Sequence, residues 1–124
     1  MEIPTQQNMV FSQLNAWKDT VNKVRVDVKD MSKRLEGICK SYNQNVMIQV
    51  ERFQNQFIRQ LEVADEMFHD IKQTAKSLDH QLPVRVIHDD RPVDDYSTMQ
   101  DRMATFQKLY QELKNDFQYF ETHR

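Results

Sequence analysis

The chain has 124 residues, 39% of them hydrophobic and 29% charged, with a formal net charge of −2, one Gly, three Pro and one Cys. A single glycine leaves almost no position that adopts positive φ without cost, which excludes tight hairpins, phosphate-cradling loops and the all-β and nucleotide-binding α/β architectures built on them. One cysteine excludes an intrachain disulfide framework and a multi-cysteine zinc site, and a mean hydropathy of −0.81 is too polar for a thick core, so one elongated helical domain is left.

From Val10 the apolar residues fall at Val10, Leu14, Trp17, Val21, Val24, Val28, Met31, Leu35, Ile38 and Tyr42. The steps alternate between four and three, an unbroken heptad row that predicts a coiled-coil helix. The alternation in Val24-Arg25-Val26-Asp27-Val28 also fits a strand. The heptad outweighs it, because the row continues on both sides and a lone strand has no partner. After Tyr42 the row passes through Val46, Val50, Phe53, Phe57, Leu61 and Ala64, two eleven-residue repeats that relax a left-handed supercoil. Heptad steps resume through Phe68, Ile71, Ala75, Leu78 and Leu82. Gly37, Ser41, Asn43 and Asn45 are poor helix formers, so 40–45 is where a bend or break would fall. With no proline there and the apolar rows running through, one continuous helix within 1–82 is the favoured reading.

Pro83 stops that helix, and 83–96, with Pro92 and the pairs Asp89-Asp90 and Asp94-Asp95, reads as a connector. Val84-Arg85-Val86-Ile87 fits an extended segment lying against a helix. Ser97 offers an N-cap with Gln100 completing a capping box. The segment 97–124 then carries a second strict heptad row: Met99, Met103, Phe106, Tyr110, Leu113, Phe117 and Phe120.

The expected fold is all-α. One long coiled-coil helix, bent or broken near 40–45 if anywhere, is followed by a shorter helix folding back antiparallel on about 57–82 as a hairpin. Ile58, Val63, Met67 and Leu109 widen the apolar faces of that hairpin beyond a single row. The arm 10–42 would then expose its whole stripe and require partner helices. In a parallel homodimer its flanking pairs would be Gln13–Lys18, Thr20–Arg25, Asp27–Ser32 and Arg34–Cys39, none of opposite charge, while Asp116 would oppose Glu121. Antiparallel self-association or, in preference to it, other helical proteins as partners are therefore expected, and not a parallel homodimer. The expected interface residues are Trp17, Val21, Val24, Val28, Met31 and Leu35, with Phe106, Tyr110 and Phe117 in the last helix.

Chemistry-bearing clusters are sparse. Glu62, Glu66 and His69 include the Glu-x-x-His spacing of di-iron bundles, but the last helix supplies no second copy, and Glu121-Thr122-His123 has the wrong spacing. His80, His88, Asp89 and Asp90 surround the connector without a fixed ligand spacing. Cys39 lies beside the first row next to Lys40, with no histidine at helical spacing to activate it. The methionines on the rows read as packing. No catalytic, cofactor or metal site is expected.

Residues 1–11 are polar and show no basic start followed by an apolar run, so no secretory signal is expected. No apolar run is long enough to span a bilayer, and no segment is basic enough to bind nucleic acid. A soluble cytoplasmic or nuclear protein is the default. The leading functional expectation is a non-catalytic coiled-coil subunit of an intracellular assembly, of tethering, organelle-positioning, cytoskeletal or kinetochore type. The second is a self-contained three-helix bundle acting as a chaperone or adaptor for a client.

Overall fold

A computed structural model describes residues 5–40, 44–80 and 93–124. Among these the chain is all-α, with α1 at Thr5–Ile38, α2 at Gln44–His80 and α3 at Tyr96–His123. The continuous helix expected across 40–45 is not formed. The last regular turn of α1 is closed by Cys39 N–H donating to the Leu35 carbonyl at 2.9 Å, and α2 packs extensively against α1. Interrupting a helix leaves about four carbonyls and four N–H groups to be satisfied by water or caps. Leaving both apolar rows in water costs more, since each buried Val, Leu, Ile, Phe or Met contributes roughly 1.5–3 kcal/mol. α1 ends at Ile38 and α2 begins at Gln44, between Gly37 and Asn45 of the poor helix formers.

Contacts between elements fix their directions. Thr74, Asp70, Phe57 and Phe53 on α2 meet Asp94, Arg102, Phe117 and Phe120 in that order, so α3 runs antiparallel to α2. Trp17, Asp27 and Arg34 meet Tyr96, Tyr110 and Glu121, so α1 runs parallel to α3. Three helices thus pack down-up-down, with α1 and α2 closer to each other than either is to α3. Side-chain size accounts for this. Val21, Val24, Val28, Val50 and Ala64 bring α1 and α2 together, whereas α3 inserts Met99, Met103, Phe106, Tyr110, Phe117 and Phe120.

The row read in α1 is buried as spaced, from Leu14 to Ile38. In α2 the buried set is Val50, Phe53, Phe57, Ala64, Met67, Ile71 and Thr74, which corrects the eleven-residue register. Leu61, Phe68 and Ala75 are only half-buried beside the core, and Leu78 is exposed. The buried spacing is heptad throughout, with half-buried Gln60 between Phe57 and Ala64. Thr74 occupies an apolar place because its hydroxyl donates to the Asp94 carbonyl at 2.8 Å, so burial leaves no unpaired group. At the far end Phe53, Phe57, Phe117 and Phe120 form one aromatic cluster, with Phe117 edge-on to Phe53 at 5.4 Å and to Phe57 at 5.1 Å, a favoured geometry.

The N-cap of α3 is Asp95, not Ser97. Its backbone is extended at φ −76°, ψ 174°, and its carboxylate accepts from Thr98 N–H at 2.8 Å. That hydrogen bond holds the Asp95 carboxyl below its ordinary range, as expected for an acid at a helix N-terminus. Pro83 and Val84 to Ile87 lie outside the described residues.

Phe117→Ala should lower the unfolding free energy by about 3–5 kcal/mol in a denaturant titration, while Val26→Ala, at a side chain 66% exposed, should change it by less than about 0.5 kcal/mol. Equal effects would contradict the cluster's place in the core. Gly37 is helical, and a Cβ there would meet nothing within 4 Å. Gly37→Ala should therefore raise stability by roughly 0.5–1 kcal/mol in the same assay.

Candidate interaction surface

The nine residues expected to face partners turn inward instead. Trp17, Val21, Val24, Val28, Met31 and Leu35 are buried against the chain's own helices, and so are Phe106, Tyr110 and Phe117. The expectation of a bare N-terminal arm is thereby corrected: the stripe that seemed to need another chain is covered by α2 and α3. Trp17 stacks on Tyr96, ring centroids 5.2 Å apart, and closes the end at which α3 begins.

Around this core runs a set of polar ties that the sequence reading missed. Between α1 and α3, Tyr110 donates its hydroxyl to Asp27 at 2.6 Å, with Lys114 Nζ 4.0 Å from the same carboxylate. Arg34 grips Glu121 through Nε at 2.8 Å and Nη2 at 3.2 Å, and also bonds Asp30. Between α1 and α2, Arg25 pairs with Asp65 at 2.6 Å, and its guanidinium lies 4.7 Å from the Phe68 ring centroid. Between α2 and α3, Arg102 bonds Asp70 at 2.9 Å and Asp94. The signal was in the sequence, in the wrong comparison. Asp27–Lys114 and Arg34–Glu121 share an offset of 87 residues and are the opposite-charge flanking pairs that a parallel homodimer lacked.

Burial and the hydrogen bond to Asp27 raise the Tyr110 phenol above its ordinary value. The folded state therefore favours the neutral phenol.

The residues weighed for catalysis are spread over surface positions. Glu62 pairs with Arg59 at 3.4 Å, Glu66 lies 4.0 Å from Arg102, and His69 is exposed. Among the described residues no three His, Cys, Asp or Glu groups are placed to hold a metal ion. His88, Asp89 and Asp90 lie outside the described residues, as does the side chain of His80. Cys39 is a free, half-buried thiol packed at the edge of the core. No helix among the described residues is long and apolar enough to cross a membrane.

Among the described residues, the outer groove between α2 and α3 holds two cavities. One, of about 570 Å³ at the end where α3 terminates, is lined by Gln49, Arg52, Asp116, Tyr119, His123 and Arg124 among others. His123 stacks on Tyr119 there, with centroids 3.9 Å apart. The other, of about 360 Å³, has Met67 and Phe106 as its floor and Val63 and Leu109 on opposite walls, with Arg59, Glu66 and Asp101 around it. Leu109 is 53% exposed. The apolar residues that widened the faces in the sequence, Val63 and Leu109, thus converge on one groove. Ile58, read with them, is exposed but does not line it. Comparison with known protein families, curated proteins and solved structures gave no match.

Because the Tyr110 phenol is raised, its contribution to stability is complete below the unfolded value of about 10 and is lost as pH rises above it. Tyr110→Phe should cost about 1 kcal/mol at neutral pH and show a shallower loss of stability than the parent between about pH 9.5 and 11. Identical alkaline slopes in urea titrations would contradict the Tyr110–Asp27 bond.

Proposed function

We propose that the chain is a non-catalytic helical interaction module, a subunit or adaptor of a multiprotein assembly, which docks helices in the outer groove between α2 and α3. The observation that carries this reading is the groove at Val63 and Leu109: an apolar strip with Met67 and Phe106 beneath it and charges along both sides. The strip is concave, with an apolar floor at Met67 and Phe106, and an apolar groove of that kind is a seat for an amphipathic helix. The ionisable residues near it support the same reading, since Arg102, Asp70 and Asp94 hold helices together. A reducing compartment such as the cytoplasm suits the single free thiol. The self-contained bundle is thus the architecture and assembly the role; a client-holding chaperone has no separate observation in its favour.

A photo-crosslinking amino acid placed at Leu109, in cells that normally make the protein, should give discrete adducts whose partner-side sites fall in helices. The same probe at Val26, 66% exposed on α1, should give few. Equal labelling from both positions would overturn the assignment of the groove.

A further inference from the structure

We infer that the occupant of the α2–α3 groove is a second copy of this chain, related by a two-fold axis crossing the groove at the level of Val63 and Leu109. This rests on the groove being the functional surface and names what fills it. The argument is charge complementarity. Val63 and Leu109 face each other across the groove and define its apolar midpoint. On α2, Arg59 stands four residues before Val63 and Glu66 three residues after. On α3, Arg102 is already held by Asp70 and Asp94 within the chain, so the pattern rests on α2. α2 therefore carries opposite charges at nearly equal distances on either side of one apolar level.

Such a pattern is its own complement. A two-fold axis lying in the interface and perpendicular to the helices sets α2 antiparallel to α2 of the second copy, and α3 antiparallel to α3. Arg59 then meets the second copy's Glu66, a pair that occurs twice, while Val63 and Leu109 meet their own counterparts at the axis. An isologous contact of this kind closes on itself and leaves no repeating surface. Like charges meet if the two copies run parallel with Arg59 and Glu66 in register on facing α2 helices, so the pattern also selects the antiparallel arrangement.

The existing bonds are compatible with it. Arg59 and Glu62 pair at 3.4 Å with side chains 70% and 61% exposed, a contact of the kind worth little alone. A contact running from Arg52 to Thr74 on α2 would be about 33 Å long and two helices, about 20 Å, wide. That covers about 650 Å² on each copy, near the lower bound of specific interfaces. Area of this size does not fix an affinity, so the dimer is sought over a broad concentration range.

Sedimentation equilibrium of the full chain, from about 1 to 300 µM, tests this. The parent should pass from monomer to dimer over that range. Leu109→Glu, at a side chain that is already half exposed, should keep its helical circular dichroism and raise the dissociation constant at least about tenfold. Arg59→Glu and Glu66→Arg should each weaken the dimer by about tenfold or more, because symmetry duplicates every reversed contact. The double variant Arg59→Glu/Glu66→Arg should return to within about threefold of the parent. A chain monomeric throughout, a dimer indifferent to Leu109→Glu, or a double variant as weak as the singles would each overturn the inference. If the chain is monomeric while the probe at Leu109 still captures a discrete helical partner, the second copy is wrong and the groove reading stands. If the probe shows no preference for Leu109, the groove reading itself has failed.

Discussion

An apolar row repeated every three or four residues along a helix cannot be left in water, and everything else in this molecule depends on how that constraint is met. The row in α1, from Leu14 to Ile38, is one side chain wide and has nothing of its own to pack on. It is covered because the chain gives up helical continuity after Ile38 and turns α2 back along it. The valines of α1 and the small face of α2 at Val50 and Ala64 then allow close approach, and α3 fills the remaining side with sulfur and aromatic rings. A polar composition and a buried core are reconciled by making the core long and thin.

The polar ties around that core specify direction more than they add stability. Most are partly exposed pairs, worth about 0–1 kcal/mol each. Their positions nevertheless fit only one arrangement: Asp27 with Tyr110 and Lys114, and Arg34 with Glu121, require α1 parallel to α3, while Asp70 with Arg102 requires α2 antiparallel to α3. Thr74 and Asp95 work alike at the start of α3, one anchoring the Asp94 carbonyl and the other capping the helix. A bundle of the opposite hand would separate these partners from one another.

Much of this was legible in advance, and the failures have particular causes. The rows of α1 and α3 were read residue by residue, because heptad spacing there is strict and uninterrupted. The register of α2 was misread because Phe68 and Ala75 are more apolar than their neighbours in the sequence, while Met67 and Thr74 are the residues that face inward. Thr74 is invisible to a hydrophobicity pattern, since only the distant Asp94 carbonyl makes its burial tolerable. The break after Ile38 sat among the right residues but was outweighed by the continuity of the rows, which says nothing about whether a helix goes on or doubles back. Reading α1 as bare followed from that choice, and so did assigning Trp17 and its neighbours to another chain. The groove was half legible: Val63 and Leu109 stood out as surplus apolar positions, but only the antiparallel pairing of α2 and α3 brings them to the same level.

Within one chain, α2 folds back along α1 and α3 closes the core they share. Spin labels at Asn15 on α1 and Lys72 on α2, both exposed, report this directly by dipolar spectroscopy, with labelled protein diluted in unlabelled chains. The closed bundle places the labels about 20 Å apart, allowing for two helix diameters. A distance beyond about 70 Å, as an unbroken helix rising 1.5 Å per residue demands, would contradict it.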